Sequence, residues 1–251
     1  MKARHILSVL RRHMTVYTKL YLSSIALNFA EPILYLAAFG IGLGAFVQQI
    51  DGVPYLNFIA PGIIASSATF GAVYECTYGT YVRMFFQRTF DAILATPVSL
   101  AELVAAELLW GALKSVLYGS IIMIVLGMFG LLSSPLILLA IPLLLLSGLL
   151  FAVLSMIVAS IAPGIESFNY FYTLFMTPLF LFSGIFFPLI GLPPLVEHIA
   201  HLSPLYHLVS ACRALANGHA AGVPVDALWI AAALVLAAPW PFRLMRRKLI
   251  K

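Results

Sequence analysis

The sequence has very few charged residues. Of its 251 residues only 9% are Asp, Glu, Lys or Arg, whereas 63% are hydrophobic. The mean hydropathy is +1.05. An ordinary soluble domain carries roughly 25% charged residues, and a soluble fold cannot hide this much apolar surface. The composition therefore excludes a soluble globular domain and indicates that lipid surrounds most of the chain.

The sequence is also short of cysteine and of nucleotide-binding motifs. Two cysteines, Cys76 and Cys212, are too few for a disulfide framework or a metal cluster, and we interpret both as packing residues. No G-x-x-x-x-G-K-[ST] motif occurs, so the chain has no phosphate-binding loop. The histidines within 198–207 do not form an H-E-x-x-H zinc motif, and Pro204 interrupts their helix. We expect no catalytic site, metal, cofactor or nucleic-acid partner in this chain.

Six apolar segments are long enough to cross a bilayer, which takes about 20 residues. The predicted spans are residues 28–48, 57–81, 100–128, 134–162, 168–188 and 226–244. Basic residues precede the first span, follow the last and occur in the loop 82–99. Because cytoplasmic segments are enriched in Lys and Arg, we place both termini and this loop in the cytoplasm. The expected fold class is an all-α integral membrane protein with one domain, residues 1–251.

Residues 1–27 have the pattern of an amphipathic helix in the headgroup plane. At about 100° per residue, one face carries apolar side chains: Ile6, Leu10, Met14, Tyr17 and Tyr21. The opposite face carries basic side chains: Arg4, Arg11, Arg12 and Lys19. This division is typical of an interfacial helix.

The segment 189–225, predicted on the outer side, has apolar residues at helical spacing and several prolines. Its pattern predicts two short amphipathic helices separated at Ser203 and Pro204. Both are too short and too polar to span the membrane. They can re-enter the outer leaflet only where they pack against protein.

The loop 82–99 predicts a short cytoplasmic helix over about residues 86–95. Phe86, Phe90 and Ile93 share one helical face, with Leu94 beside them. Pro97 ends the helix because it lacks a donor and disfavours the α conformation at the preceding residue. An S-x-x-E capping box at residues 99–102 then begins the third span.

Glu75, Glu107 and Lys114 lie away from the ends of predicted spans, at membrane depth. Such residues mark a functional site by default. They are compatible with a proton relay or a substrate contact, but we favour a charge pair between helices or subunits that holds the bundle together.

The fifth predicted span is rich in aromatic residues. The side chains of interest are Tyr170, Phe171, Tyr172, Phe175 and Met176. This stripe is compatible with stacking on sugar rings or sliding along acyl chains of a cargo. It is also compatible with ordinary packing or an aromatic belt at the membrane interface.

Three stretches together resemble type-2 ABC exporter permeases. They are IAPGIIASSATFGAVYECTYGTYVRM (59–84), RTFDAILATPVSLAELVAAE (88–107) and FSGIFFPLIGLPPLVEHIAHLSPLYHLVSACRAL (182–215). The six predicted spans and the N-terminal interfacial helix agree with that family. The resemblance covers nearly the whole chain and is nearest to the NodJ-like branch, which is linked to lipooligosaccharide export.

The resemblance implies a half-transporter in the inner (cytoplasmic) membrane. Two copies would pair, and each would dock one ABC ATP-binding subunit, which would hold ATP and Mg. The interfacial helix and the loop helix would touch that subunit, the loop through Phe86, Arg88, Phe90, Asp91, Ile93, Leu94, Thr96 and Pro97. The cargo would be a large amphiphile: a lipooligosaccharide, glycolipid or polysaccharide-lipid. Alternatives are a drug or lipid exporter of the same fold and a proton-coupled transporter using Glu75 and Glu107.

Overall fold

The computed structural model describes residues 1–50, 52–189 and 191–249, with the side chains of 20–29, 31 and 41 left aside. The described chain is mainly helical. Its α-helices are α1 Ala3–Ala37, α2 Tyr55–Tyr74, α3 Thr89–Leu94, α4 Leu100–Met128, α5 Ala140–Ile161, α6 Ser167–Phe171, α7 Thr177–Leu181, α8 Pro194–His201, α9 Pro204–Ala216, α10 Val223–Ala237 and α11 Pro239–Leu249. The strands β1 Gln49–Ile50 and β2 Val53–Pro54 form a small antiparallel hairpin with Ile50 opposite Val53.

Within the described residues, four helical stretches are long and apolar enough to cross a membrane. They are Tyr55–Phe86, Leu100–Met128, Pro135–Ile161 and Val223–Leu249. These stretches overlap the second, third, fourth and sixth predicted spans. The first of them runs past the predicted end at residue 81, because π-helical turns continue α2 to Phe86. Arg83 therefore belongs to a membrane helix and not to a loop.

The first and fifth predicted spans differ most from the structure. α1 continues without a break across residues 27 and 28, so the interfacial segment and the start of the first span form one helix. Near the fifth span, helix covers only residues 167–181, which is roughly 22 Å at 1.5 Å per residue. A hydrocarbon core is about 30 Å thick. The count of six spans therefore remains a prediction.

The chain after α7 folds back as a loop into the helices. Gly184 there has a positive φ of 76°, a conformation that costs glycine little. The Tyr55 hydroxyl donates to the Phe186 carbonyl oxygen at 3.0 Å, and Arg213 of α9 donates to the Gly184 carbonyl at 2.7 Å. The loop is thus tied to α2 and α9 where a longer fifth helix was predicted.

Helices α8 and α9 occupy the segment between the fifth and sixth predicted spans. The Ser203 side chain accepts a hydrogen bond from the Tyr206 backbone amide and caps α9. Cys212 of α9 is fully buried, and this burial raises the pKa of its thiol to about 12. The thiol therefore stays protonated, in agreement with a packing role.

The core of the molecule lies where α2, α4 and α5 approach one another through small residues. A side chain at Gly111 would collide with the Cys76 sulfur, and a Cβ at Gly148 would lie 2.5 Å from the Ser115 Cβ. Small residues at such contacts allow the backbones of membrane helices to come close. The Ser115 hydroxyl also donates to the Leu144 carbonyl at 3.0 Å, which joins α4 to α5.

We predict that Gly148→Ala destabilises the protein by about 1–3 kcal/mol, the typical effect of overpacking a core. The new methyl group would also lie 3.2 Å from the Ala112 Cα, which is backbone and cannot rotate away. Thermal unfolding of the purified protein in detergent measures the change. Gly127→Ala on α4 is the matched control, because its nearest neighbouring atom would be 3.9 Å away. Equal melting temperatures for the two variants would contradict the proposed close contact.

Candidate functional site

A buried charge cluster lies between α1, α2 and α4. Its centre is the Arg83 guanidinium, which donates from Nη1 to Glu75 Oε1 at 2.6 Å and from Nη2 to Glu107 Oε2 at 2.6 Å. The Glu107 side chain has 0% exposure, and Thr80 donates to the same Oε2 atom at 3.2 Å. Burial of charge at this depth is tolerable only because each ion has an opposite partner and hydrogen bonds.

Helix α1 contributes aromatic and imidazole groups to this cluster. His13 Nε2 lies 3.0 Å from Glu107 Oε1, and its ring stacks on Trp110 with centroids 5.5 Å apart. Lys114 Nζ lies 3.6 Å from the centre of the Tyr17 ring, a cation–π contact. The cluster therefore joins all three helices.

Lys114 has two further polar contacts, one with Tyr118 and one with Glu75. Its ammonium donates to the Tyr118 hydroxyl at 3.1 Å and lies 3.8 Å from Glu75 Oε2. The structure thus brings together Glu75, Glu107 and Lys114, the three ionisable residues that the sequence singled out. Their contacts with one another and with Arg83 favour a role in holding helices together over a free proton relay.

The sequence interpretation missed Arg83 and His13. Arg83 was assigned to the loop because the second span was ended at residue 81. A usable signal was present, since Glu75 and Arg83 are eight residues apart and little more than two helical turns separate them. His13 is not marked by the amphipathic pattern of α1, which consists of an apolar face and a face of Lys and Arg.

The N-terminal helix is held at the N-terminal end of α4. The Lys2 backbone amide donates to Glu102 Oε1 at 2.6 Å, and His5 Nδ1 lies 2.9 Å from Glu102 Oε2. Ser99 and Glu102 also form the predicted capping box at the start of α4. One carboxylate therefore both caps α4 and binds the first turn of α1.

For two residues of the predicted amphipathic helix, Arg12 and Met14, the observed exposure differs from the prediction. Arg4, Arg11 and Lys19 are exposed, but Arg12 is partly buried and donates to Thr89 Oγ1 of α3 at 3.3 Å. Met14 was predicted on the apolar face, yet 49% of it is exposed. The reason is that His13 lies on the buried face of α1. The face that contacts the other helices is therefore rotated from the predicted one and includes the neighbouring Arg12.

The loop helix α3 is shorter than predicted and excludes Phe86. Arg88 has a left-handed φ of 52°, which separates the end of α2 from the start of α3. Phe86 belongs to the last turn of α2 and is 66% exposed. The prediction that Phe86 shares a face with Phe90 and Ile93 was therefore wrong.

The remaining loop residues divide into anchors and exposed groups. Phe90 is fully buried in a cluster with Tyr81, Met84 and Leu103, and Ile93 and Leu94 pack against that cluster. The exposed residues are Arg88, Asp91, Thr96 and Pro97. Arg88 and Asp91 form an exposed ion pair at 3.5 Å. The loop thus presents a polar surface on a firmly packed base.

The aromatic stripe near the fifth span is also divided. Tyr170 and Phe175 are exposed, and the Phe171 ring stacks on that of Phe175. Met176 is fully buried, so its side chain does not share the exposed surface of Tyr170 and Phe175. Tyr172 is mostly enclosed by Tyr74 and Tyr78, whose ring centroids lie 4.9 and 5.6 Å away.

An aromatic groove of about 380 Å³ follows α2 on the side of α6 and α7. Its aromatic lining consists of Tyr35, Phe39, Phe70, Tyr74, Tyr78, Tyr172, Phe180 and Phe186. The sequence interpretation considered only residues near the fifth span. The spacing of Phe70, Tyr74 and Tyr78, four residues apart on one helix, was the signal for this row.

These features define an α-helical membrane subunit of the transporter type. The sequence matches the ABC-2 type transporter family over residues 4–216, and the chain belongs to that family. The resemblance inferred from the sequence is thereby confirmed. The chain is a transmembrane subunit of an ABC exporter, and its family implies association with an ABC ATP-binding subunit.

Relatives cover most of the chain. Nodulation protein J of Sinorhizobium fredii (strain NBRC 101917 / NGR234) is 40% identical over 207 residues, which is 82% of this chain and 79% of that protein. Nodulation protein J of Bradyrhizobium diazoefficiens is 37% identical over 247 residues, 97% of this chain and 94% of that protein. Inner membrane transport permease YadH of Escherichia coli (strain K12) is 25% identical over 180 residues, 72% of this chain and 70% of that protein.

We predict that Arg83→Met destabilises the protein by about 3–5 kcal/mol, because it leaves the buried Glu107 carboxylate without its cation. Thermal unfolding in detergent measures the loss. Arg88→Met is the matched control, since its ion pair with Asp91 is exposed and such pairs contribute about 0–1 kcal/mol. The double variant Arg83→Met, Glu107→Met should recover part of the lost stability. Equal effects of the two arginine variants would refute the stabilising role of the cluster.

Proposed function

We propose that this chain is the membrane half of an ATP-driven exporter for a large amphiphile. The cargo class is a lipooligosaccharide, glycolipid or polysaccharide-lipid, taken from the cytoplasm or from the inner leaflet. Two copies form the transport unit in the inner membrane, and each binds one ABC ATP-binding subunit that holds ATP and Mg. The similarity to two proteins named Nodulation protein J supports this branch of the family.

The aromatic groove is the observation on which the cargo class depends. It presents ring faces of Tyr74, Tyr78 and Phe180 together with the polar side chains of Asn169 and Thr177. Ligand sites commonly combine aromatic walls with a few polar groups, and this mixture suits a molecule that has both sugar rings and acyl chains.

The exposed side of α3 is the proposed contact with the ATP-binding subunit. Phe90 fixes α3 to the helices through a fully buried ring, while the ion pair of Asp91 and Arg88 remains exposed and accessible to a partner. A displacement of the partner would then move α2 and α4 as well, since both pack beside Phe90. The interfacial helix adds exposed Arg4 and Arg11 to the same side of the molecule.

The proposed orientation has both termini and α3 in the cytoplasm. Its support is the distribution of Lys and Arg, which are concentrated at both ends of the chain. Arg88 in the loop before α4 agrees with this orientation. A proton-coupled mechanism is less well supported than ATP-driven export. Glu75 and Glu107, the carriers it would use, are both bound to Arg83.

The decisive experiment is copurification with an ABC ATP-binding subunit, followed by assay of ATP hydrolysis with a panel of lipids and glycolipids. We expect a stable complex whose ATPase rate rises with amphiphiles that carry sugars. Transport by the chain alone in liposomes under a proton gradient would overturn the proposal.

We predict that Asp91→Lys weakens the complex with the ATP-binding subunit by at least about tenfold, since like charges at an interface cost several kcal/mol. The melting temperature should not change, because the Asp91 side chain is 59% exposed. Titration of the subunit against detergent-purified protein measures the affinity. Glu197→Lys makes the same charge reversal on α8, away from the proposed contact, and should leave the affinity unchanged. Intact binding by Asp91→Lys would refute this placement of the interface.

We predict that Tyr74→Leu reduces the stimulation of ATP hydrolysis by cargo about fivefold. One aromatic contact contributes roughly 1 kcal/mol, which corresponds to a factor of about five in affinity. Phe129→Leu is the control, because Phe129 is exposed but lies outside the groove. If both variants respond to glycolipid like the unaltered protein, the groove is not the cargo path.

A further inference from the structure

A polar cavity of about 380 Å³ lies beside the buried charge cluster, between α1, α2 and α4. Among the described residues that line it, three carry a permanent cationic group, Arg12, Arg83 and Lys114, and one carries a carboxylate, Glu75. Glu107 is fully buried behind them. Even when both carboxylates are counted against the three cations, one positive charge remains without a negative partner.

The cations are not saturated by their protein contacts. Arg83 binds both carboxylates through its Nη atoms, but its Nε is buried and has no hydrogen-bond partner among the described residues. Lys114 Nζ is 3.8 Å from Glu75, which is too long for a hydrogen bond. Arg12 donates one bond to Thr89 at 3.3 Å. Lys114 also donates to the Tyr118 hydroxyl, but the excess positive charge of the cations that line this cavity suits an oxyanion.

The apolar part of the cavity lining favours a lipid over a small ion as the ligand. Tyr17, Tyr78 and Trp110 line it with aromatic rings, and Val16 and Val82 add aliphatic surface. Amphipathic rings of this kind are favoured where a lipid headgroup meets the apolar core. Both α2 and α4 are long apolar helices, so the cavity is at a level that lipids of the surrounding leaflet reach.

We propose that this cavity binds the acidic headgroup of an amphiphile from the surrounding leaflet, through a phosphate, sulfate or carboxylate group. Arg12 is the residue at the entrance, because it is partly exposed while Arg83 and Lys114 lie deeper. The same guanidinium touches Thr89 of α3, so an occupied site lies in direct contact with the loop helix. This proposal rests on the residues that line the cavity, and it does not depend on the proposed cargo or on an ATP-binding partner.

The test compares two lipids with the same acyl chains. The full chain, purified in detergent, is titrated with phosphatidylglycerol or phosphatidylcholine while bound lipid is counted by native mass spectrometry. We expect saturable binding of phosphatidylglycerol and much weaker binding of phosphatidylcholine. Arg12→Gln should weaken the affinity for phosphatidylglycerol about tenfold, whereas Arg11→Gln, which removes the same charge from an exposed neighbour, should not. Arg12→Lys, which keeps the charge, should retain most of the binding.

Three outcomes would overturn the proposal. Equal binding of the two lipids would show that no acidic headgroup is recognised. Equal losses in Arg11→Gln and Arg12→Gln would show only general attraction to a basic helix. Competition by millimolar inorganic phosphate as effective as that by the lipid would identify a small-anion site instead. If Arg12→Gln fails to fold, Arg12→Lys and Arg11→Gln titrated with both lipids still decide between these results.

Discussion

The Arg83 guanidinium, held between Glu75 and Glu107, is the interaction on which the arrangement of α1, α2 and α4 depends. A lone charge at this depth would cost several kcal/mol in lost hydration. Each ion is therefore acceptable only while its partners stay in place. His13 adds α1 to the same group. The three helices cannot slide past one another without exposing an unpaired charge to an apolar environment, so the cluster fixes their relative register.

Because the register of these helices is fixed, a force on the loop helix α3 can be transmitted to them. α3 follows closely after the last turn of α2, with Gln87 and the left-handed Arg88 between them. Phe90 is buried among residues of α2, α4 and α5, and Arg12 joins α3 to α1. Close-packed interiors transmit displacement because they have little free volume. A force applied to the exposed side of α3 would therefore reach a group of helices that moves as a unit, and it would not be lost in a flexible loop.

The sequence predicted features that depend on local signals. Long apolar runs and the Ser99–Glu102 capping box located α4 correctly, because length, hydropathy and capping are properties of neighbouring residues. It could not predict features decided by contacts distant in the chain. Arg88 is left-handed without being glycine, so no pattern marked the break before α3. Arg12 was misplaced for the same reason: periodicity gives the faces of a helix, and only packing decides which face is covered.

Tyr78 connects the two surfaces described on α2. It lines the polar cavity beside Arg83 and also the aromatic groove beside Tyr172. An amphiphile has an acidic or polar head and a larger ring or chain portion, and these parts need different surroundings. On this helix the two environments are contiguous, one with excess positive charge and one with aromatic walls. The helix that carries both ends at the turn into α3. Occupancy of either surface is therefore physically close to the element that we propose receives force from the ATP-binding subunit.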